Sequence, residues 1–155
     1  MEKVYPRKWY PQKVLLLDEE RKKDLNELKN ELMSYKGIRC RTTKYFDTFI
    51  YKNKIIAKLG VSGKIIRLFL DLEPELYAMN QFPHKDMSHQ KRHRNTPFLM
   101  RVYSELSLKR GKALITDLGV IKRLKKEEQE YQDYIKELKA VSYTHLRAHE
   151  TLSDL

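Results

Sequence analysis

Positively charged side chains gather in two stretches of the chain, and they are the residues best suited to chemistry with a ligand. The first stretch contains Lys36, Arg39, Arg41 and Lys44. The second contains Lys85, Lys91, Arg92 and Arg94, with His84, His89 and His93 interleaved. Cations in such numbers suit contact with the phosphates of a nucleic acid. Such contacts give affinity through charge and counterion release, and they do not read the base sequence.

These two stretches can act together only if the second folds across the same side of a sheet as the first. Lys58, Lys64 and Arg101 would then join them, and Tyr45 and Tyr103 would suit stacking with unpaired bases. The alternative is a basic loop that is merely solvated. The predicted nucleic-acid contacts are Arg39, Arg41, Lys58, Lys64, Arg92, Arg94 and Arg101.

The sequence gives no comparable signal for metal binding, a reactive thiol or catalysis. His89 and His93 are four residues apart, but Asp86 is the only nearby carboxylate and the flanking cations oppose a divalent ion, so no metal is expected. Cys40 lies among arginines, which would lower the pKa of an exposed thiol, whereas partial burial would leave it inert. No nucleophile and base, carboxylate pair or glycine-rich phosphate loop can be identified from spacing. We therefore predict no catalytic residues and no cofactor.

Residues 141–155 have the sequence expected of a translated oligonucleotide. Val141 to Thr151 back-translate to the adapter oligonucleotide of a transposon-based sequencing library, and Asp154 and Leu155 fit the next adapter segment. We therefore expect residues 141–155 to be translated adapter, with the natural chain continuing differently after about Ala140. On this interpretation His145, His149 and Glu150 carry no function.

Composition limits the class of protein. The 155 residues include 32 lysines and arginines against 21 aspartates and glutamates, for a net charge of +11, and 41% are hydrophobic. A chain of this size and apolar content can form one folded domain. The single cysteine excludes an internal disulfide, and no apolar run has the length of a membrane span or a secretory signal. A cytoplasmic protein is expected.

Hydrophobic periodicity predicts an α+β fold. Residues 1–17 are predicted to be an N-terminal arm whose apolar end docks on the body, followed by an α+β domain over 18–119 and a charged C-terminal helix over 120–140. In the domain, Asp18 begins a helix that Gly37 ends, and three antiparallel strands follow between Tyr45 and Leu72. The later order is a short helix from Pro74, an exposed loop over 81–95, a strand from Pro97 to Tyr103 and a helix that Gly119 stops.

Several stretches resemble a small α+β domain of hypothetical proteins of gut Firmicutes, over roughly residues 15–118. The resemblance lies in Leu28-Lys-Asn-Glu-Leu-Met-Ser-Tyr-Lys36, Arg41, Phe49, Ala57-Lys-Leu59, Gly63-Lys64, Leu68, Leu70, Leu72 and Pro74, and again in Thr96-Pro97, Arg101 and Lys109 to Ile115. It implies a bacterial origin and a fold but no activity.

The order of elements is also similar to that of the YjbR/MmcQ-like and YdhG-like proteins. His93-Arg-Asn-Thr96 resembles the His-Trp-Asn-Thr stretch of the YjbR-like family, with Arg94 in place of tryptophan. The resemblance implies the fold, and a DNA-binding role has been suggested for that family from its shape.

Two functions remain open from the sequence. The first is a non-enzymatic binding domain that contacts nucleic acid or another polyanion through its basic surface. The second is a protein-interaction or scaffold domain, whose helix from Ile121 to Ala140 pairs with a partner protein while the positive charge serves solubility.

Overall fold

A computed structural model describes residues 9–126 together with 135 and 138. The chain divides into two compact units, residues 1–124 and 125–155, and all the elements below belong to the first. Its helices are α1 (Tyr10–Leu15), α2 (Glu19–Met33) and α3 (Glu105–Ile121). Its strands are β1 (Arg39–Thr42), β2 (Asp47–Tyr51), β3 (Lys54–Ser62), β4 (Ile65–Leu70), β5 (Lys85–Asp86) and β6 (Phe98–Val102).

The α+β prediction is confirmed, and local signals explain most of the elements. Asp18 accepts a hydrogen bond from the backbone N–H of Arg21 at 2.7 Å, which caps the start of α2 as predicted. The helix ends at Met33, earlier than predicted, and Gly37 with a φ of +86° lies in the turn before β1. Such a φ favours glycine because other side chains meet steric strain there.

The strands form one antiparallel sheet in the order β1-β2-β3-β4-β6-β5. The predicted three-stranded meander is β2, β3 and β4, and its first turn holds Lys52 and Asn53 at positive φ, as two-residue hairpin turns require. Strands β1 and β5 were not predicted from the sequence. Both are short, and β5 has two residues, so neither shows a hydrophobic alternation.

One face of the sheet packs against the helices. Leu59, Leu68 and Met100 lie in one row across β3, β4 and β6, and they are buried with Leu28 of α2 and Leu114 of α3. Gly111 allows α3 to approach closely, since an added Cβ would lie 3.3 Å from side-chain atoms of both Leu28 and Leu68. This packing forms the main core.

The opposite face carries a smaller buried cluster, to which none of the described α-helices contributes. The cluster consists of Phe46, Phe69, Met87 and Leu99. We call this side of the sheet the helix-free face. The segment 81–95 crosses it with β5 and a 3₁₀ turn at Lys91–His93, and Met87 and His93 are buried. The prediction of an exposed loop is therefore wrong at these two residues, because Met87 packs in the cluster and His93 packs against the rings of Phe46 and Phe69.

The chain ends of the predicted domain agree with expectation in part. Within the described part of the predicted arm, Val14 and Leu17 pack on the main core as expected of its apolar end, and Tyr10 of α1 is buried there too, whereas Leu15 and Leu16 are exposed. Helix α3 continues past Gly119 to Ile121. The predicted helix over 120–140 and the predicted adapter tail over 141–155 otherwise lie largely or wholly outside the described residues. No helix within the described part is long and apolar enough to cross a bilayer.

Candidate nucleic-acid interface

The pairing register places basic residues from five strands on the helix-free face. Directly paired residues project to the same side of a sheet. One row runs across all six strands and carries a cation near its middle and at both ends: Arg41, Thr48, Lys58, Phe69, Leu99 and Lys85. At strand spacings of about 4.8 Å, such a row spans about 24 Å. In the adjacent row, Arg67 of β4 pairs with Arg101 of β6.

Lys58 lies beneath this surface rather than on it. Its Nζ donates to the backbone carbonyl of Arg92 at 3.1 Å and to Nδ1 of His93 at 2.8 Å, and the Phe46 and Phe69 rings lie within about 5 Å. Burial, then the positive charges of Arg92 and Arg67, lower the pKa of Lys58 to about 8. The prediction that Lys58 contacts a phosphate is therefore corrected, because its ammonium is engaged inside the protein.

His93 supports the same arrangement from the crossing segment. Its ring stacks on Phe69 at a centroid distance of 4.4 Å and meets the edge of Phe46. Burial and the charges of Lys58, Arg67 and Arg92 lower the pKa of His93 to about 4. The imidazole is thus neutral at pH 7: Nδ1 accepts a hydrogen bond from the Lys58 ammonium, and the ring proton is on Nε2.

Three arginines surround this buried pair and form what we call the basic cluster: Arg67, Arg92 and Arg101. The Arg67 guanidinium lies 4.9 Å from the Phe69 ring, and that of Arg92 lies 5.3 Å from the ring of Tyr45. Arg67 pairs with Arg101, and it lies over the same Phe69 ring as Lys58, whose ammonium binds the Arg92 carbonyl. Burial and the charges of Arg101 and Arg92 accordingly lower the pKa of Arg67.

No described carboxylate forms a salt bridge with the basic cluster. The buried carboxylate of Asp47 lies on the other side of the sheet from the basic cluster. This buried carboxylate accepts a hydrogen bond from Tyr10 and lies 3.5 Å from Nζ of Lys29. It projects from β2 to the opposite side of the sheet, toward the helices, because it pairs with Leu59 rather than with Lys58. The positive charge of the cluster is therefore not neutralised within the described part of the chain.

The other predicted contact residues lie around the cluster at different distances from it. Arg39 and Arg41 are exposed on β1, at the edge of the same face. Lys64 is exposed in the β3–β4 turn, and Arg94 is exposed at the end of the 3₁₀ turn. No described contact joins Lys64 or Arg94 to the cluster. The structure thus places Arg92 beside the buried Lys58 and Arg101 opposite Arg67, and it leaves the other four at the periphery.

Sequence reasoning missed Arg67 as a site residue. It alternates with the buried Ile66 and Leu68 in β4, which was sufficient to place it on the opposite side of that strand. Its pairing with Arg101, and hence its place in the cluster, follows from a register that the sequence does not show.

Cys40 and the histidines do not form a reactive site. Cys40 projects from β1 toward the helices, away from its arginine neighbours, and burial together with nearby Asp47 raises the pKa of its thiol. His84 stacks on Phe98 and its Nδ1 is 2.6 Å from the carbonyl of Phe82. Over the described residues, no three histidine, cysteine, aspartate or glutamate side chains come together as a set of metal ligands.

Comparison with known proteins adds no relative. No family model, no curated protein and no solved structure matches the chain. The resemblance to the Firmicutes domain and to the YjbR/MmcQ-like and YdhG-like proteins therefore stays a prediction.

Proposed function

We propose that this protein is a non-enzymatic binding domain that holds single-stranded nucleic acid, or a polyanion like it, on its helix-free face. The observation that carries the proposal is the basic cluster of Arg67, Arg92 and Arg101, which lacks a described carboxylate partner. Like charges held close together oppose one another unless an anion from outside neutralises them. A chain of phosphates supplies several such anions at once and releases condensed counterions on binding.

A single strand fits better than a duplex because exposed aromatic rings accompany the arginines. Tyr45 contacts Arg92, and Tyr103 follows Arg101 by two residues, which puts both rings beside the cluster. Both tyrosine side chains are substantially exposed, at 46% and 61%. Unpaired bases stack on such rings without regard to sequence, while the arginines hold the backbone. Arg39 and Arg41 would extend the contact toward β1. We also propose a cytoplasmic location, with which the free thiol of Cys40 agrees.

The decisive experiment measures binding of a fluorescent single-stranded oligonucleotide by anisotropy at several salt concentrations between about 50 and 200 mM. The test variant is Arg67→Gln with Arg101→Gln. The control is Lys23→Gln with Lys109→Gln, which removes the same charge from exposed positions on α2 and α3. We expect the test variant to bind more weakly and its logarithmic salt slope to be smaller by about 1.4, since each lost contact removes about 0.7.

The control variant should keep the affinity and salt slope of the unmodified protein. Absence of binding by the unmodified protein at low salt would refute the function. Equal losses in the two variants would show that net charge acts without this surface. Urea unfolding of each variant, measured alongside, establishes that the compared proteins are folded.

A further inference from the structure

A groove of about 450 Å³ lies at the edge of the sheet where β5 ends and β6 continues toward α3. Its volume is within the range of about 300 to 1,000 Å³ that is usual for small-molecule sites. The groove shares Arg101 and Tyr103 with the proposed strand-binding surface and extends beyond it to Arg110 of α3. Its walls include Met79, Pro83, Lys85, Arg101, Tyr103 and Arg110.

The two kinds of wall residue suit different parts of one ligand. Lys85, Arg101 and Arg110 contribute positive charge from β5, β6 and α3, and no carboxylate is among the described lining residues. None of the three forms a described salt bridge. Met79, Pro83 and Tyr103 provide apolar surface, and the side chains of Met79 and Tyr103 are more than half exposed.

The start of α3 adds to the positive character of this groove. Ser107, in the first turn of this 17-residue helix, lines it. The Ser107 hydroxyl accepts from the backbone N–H groups of Tyr103 and Ser104 and donates to the carbonyl of Ser104, so it is fully used in capping the helix. The helix therefore contributes the positive end of its dipole, while the arginines remain the groups able to bind an anion directly.

We propose that the groove binds a nucleoside monophosphate, with its phosphate on Arg101 and Arg110 and its base against Tyr103, Pro83 and Met79. A planar apolar body joined to a phosphate matches both walls, whereas inorganic phosphate uses only one. The ligand has two sources, a free nucleotide or the phosphorylated end of a strand. The second source rests on the proposed function, because Arg101 belongs to both the groove and the basic cluster.

The test titrates the full chain with adenosine monophosphate, adenosine and inorganic phosphate, followed by calorimetry. We expect the nucleotide to bind more tightly than either fragment. Arg110→Gln should weaken nucleotide binding at least about tenfold, the effect of losing one charged hydrogen bond. Lys109→Gln removes the same charge one position away, outside the groove, and should leave the affinity unchanged. Tyr103→Ser should weaken binding of the nucleotide but not of inorganic phosphate.

Equal affinity for the nucleotide and inorganic phosphate would overturn the proposal, because the apolar wall would then contribute nothing. A second combination of results would also overturn it. In that case the unmodified protein does not bind the nucleotide, and Arg110→Gln binds both the 5′-phosphorylated and the 5′-hydroxyl oligonucleotide as tightly as the unmodified protein does. A loss confined to the phosphorylated oligonucleotide supports the groove and identifies a strand end as the source. Failure of the proposed function appears separately, as absence of binding of the 5′-hydroxyl oligonucleotide by the unmodified protein at low salt.

Discussion

The ammonium of Lys58 donates a 2.8 Å hydrogen bond to Nδ1 of His93, although 35 positions separate the two residues along the chain. Lys58 lies on β3, and His93 lies in the segment that crosses the helix-free face. The bond therefore fastens this segment, including Arg92, to the sheet. It requires a neutral imidazole, because a protonated Nδ1 cannot accept a hydrogen bond. The position of the basic cluster is thus linked to the protonation of a buried pair.

The buried imidazole makes the protein sensitive to acid. The pKa of His93 is lowered to about 4, so the unfolded chain binds a proton more readily between pH 6.5 and 4. The contribution of His93 is complete above about pH 6.5 and is lost as the pH falls toward 4. Between pH 7 and 5 this loss amounts to about 2 kcal/mol of unfolding free energy.

His93→Gln should remove most of that loss, since the amide oxygen of glutamine can still accept from Lys58 but does not titrate. Urea unfolding of both proteins at the two pH values measures the difference. His89→Gln, the same substitution at an exposed histidine, serves as the control. An equal pH dependence in unmodified protein and His93→Gln would contradict the assignment.

Lys58 should produce a second pH dependence, on the alkaline side. Because its pKa is lowered to about 8, the unfolded state binds the extra proton between pH 8 and 10.5, and stability rises with pH in that window. From pH 8 to 10 the rise is about 2 kcal/mol. Lys58→Met should lack it, as measured by urea unfolding at both pH values. The raised pKa of Tyr10 acts in the opposite direction, so the comparison stops at pH 10. A rise of the same size in Lys58→Met would refute the role of this ammonium.

Tyr10 attaches α1 to the sheet through a buried carboxylate. Its hydroxyl donates to Asp47 at 3.0 Å. Tyr10→Phe should lower the unfolding free energy by about 2 kcal/mol, because a buried hydrogen bond to a charged acceptor is lost. Tyr45→Phe removes an exposed hydroxyl and should change it by less than about 0.5 kcal/mol. Similar small effects for both, in denaturant unfolding, would show that the bond to Asp47 contributes little.

Gly119 permits the contact between α3 and the buried Tyr35. An added Cβ would lie 2.7 Å from ring atoms of Tyr35, which is closer than side chains can approach. Gly119→Ala should therefore destabilise the protein by about 1 to 3 kcal/mol, even though alanine favours a helix by about 1 kcal/mol. Val120→Ala, at an exposed neighbouring position, is the control. Thermal unfolding distinguishes them, and an unchanged or higher Tm for Gly119→Ala would contradict this packing.

Much of the fold was predictable because its signals are local. The cap at Asp18, the apolar spacing of Leu25, Leu28 and Leu32, and the alternation in β3 and β4 all depend on neighbouring residues. By contrast, β1 and β5 are short elements whose strand state depends on partners distant in sequence. The burial of Met87 and His93 in a polar segment was not predictable either, since it depends on Phe46 and Phe69 of other elements.

The sequence alone therefore determined that the chain is basic, that it forms an α+β domain, and which side of its strand most residues of β3 and β4 face. It did not determine the side of Ile56, which an irregularity in the β2–β3 pairing turns into the main core. Tertiary structure alone decided that Arg67, Arg92 and Arg101 stand together, and that Lys58 is enclosed beneath them. The physical reason is that side-chain alternation is a property of a single strand. Adjacency across strands depends on the pairing register, which contacts between distant segments establish during folding.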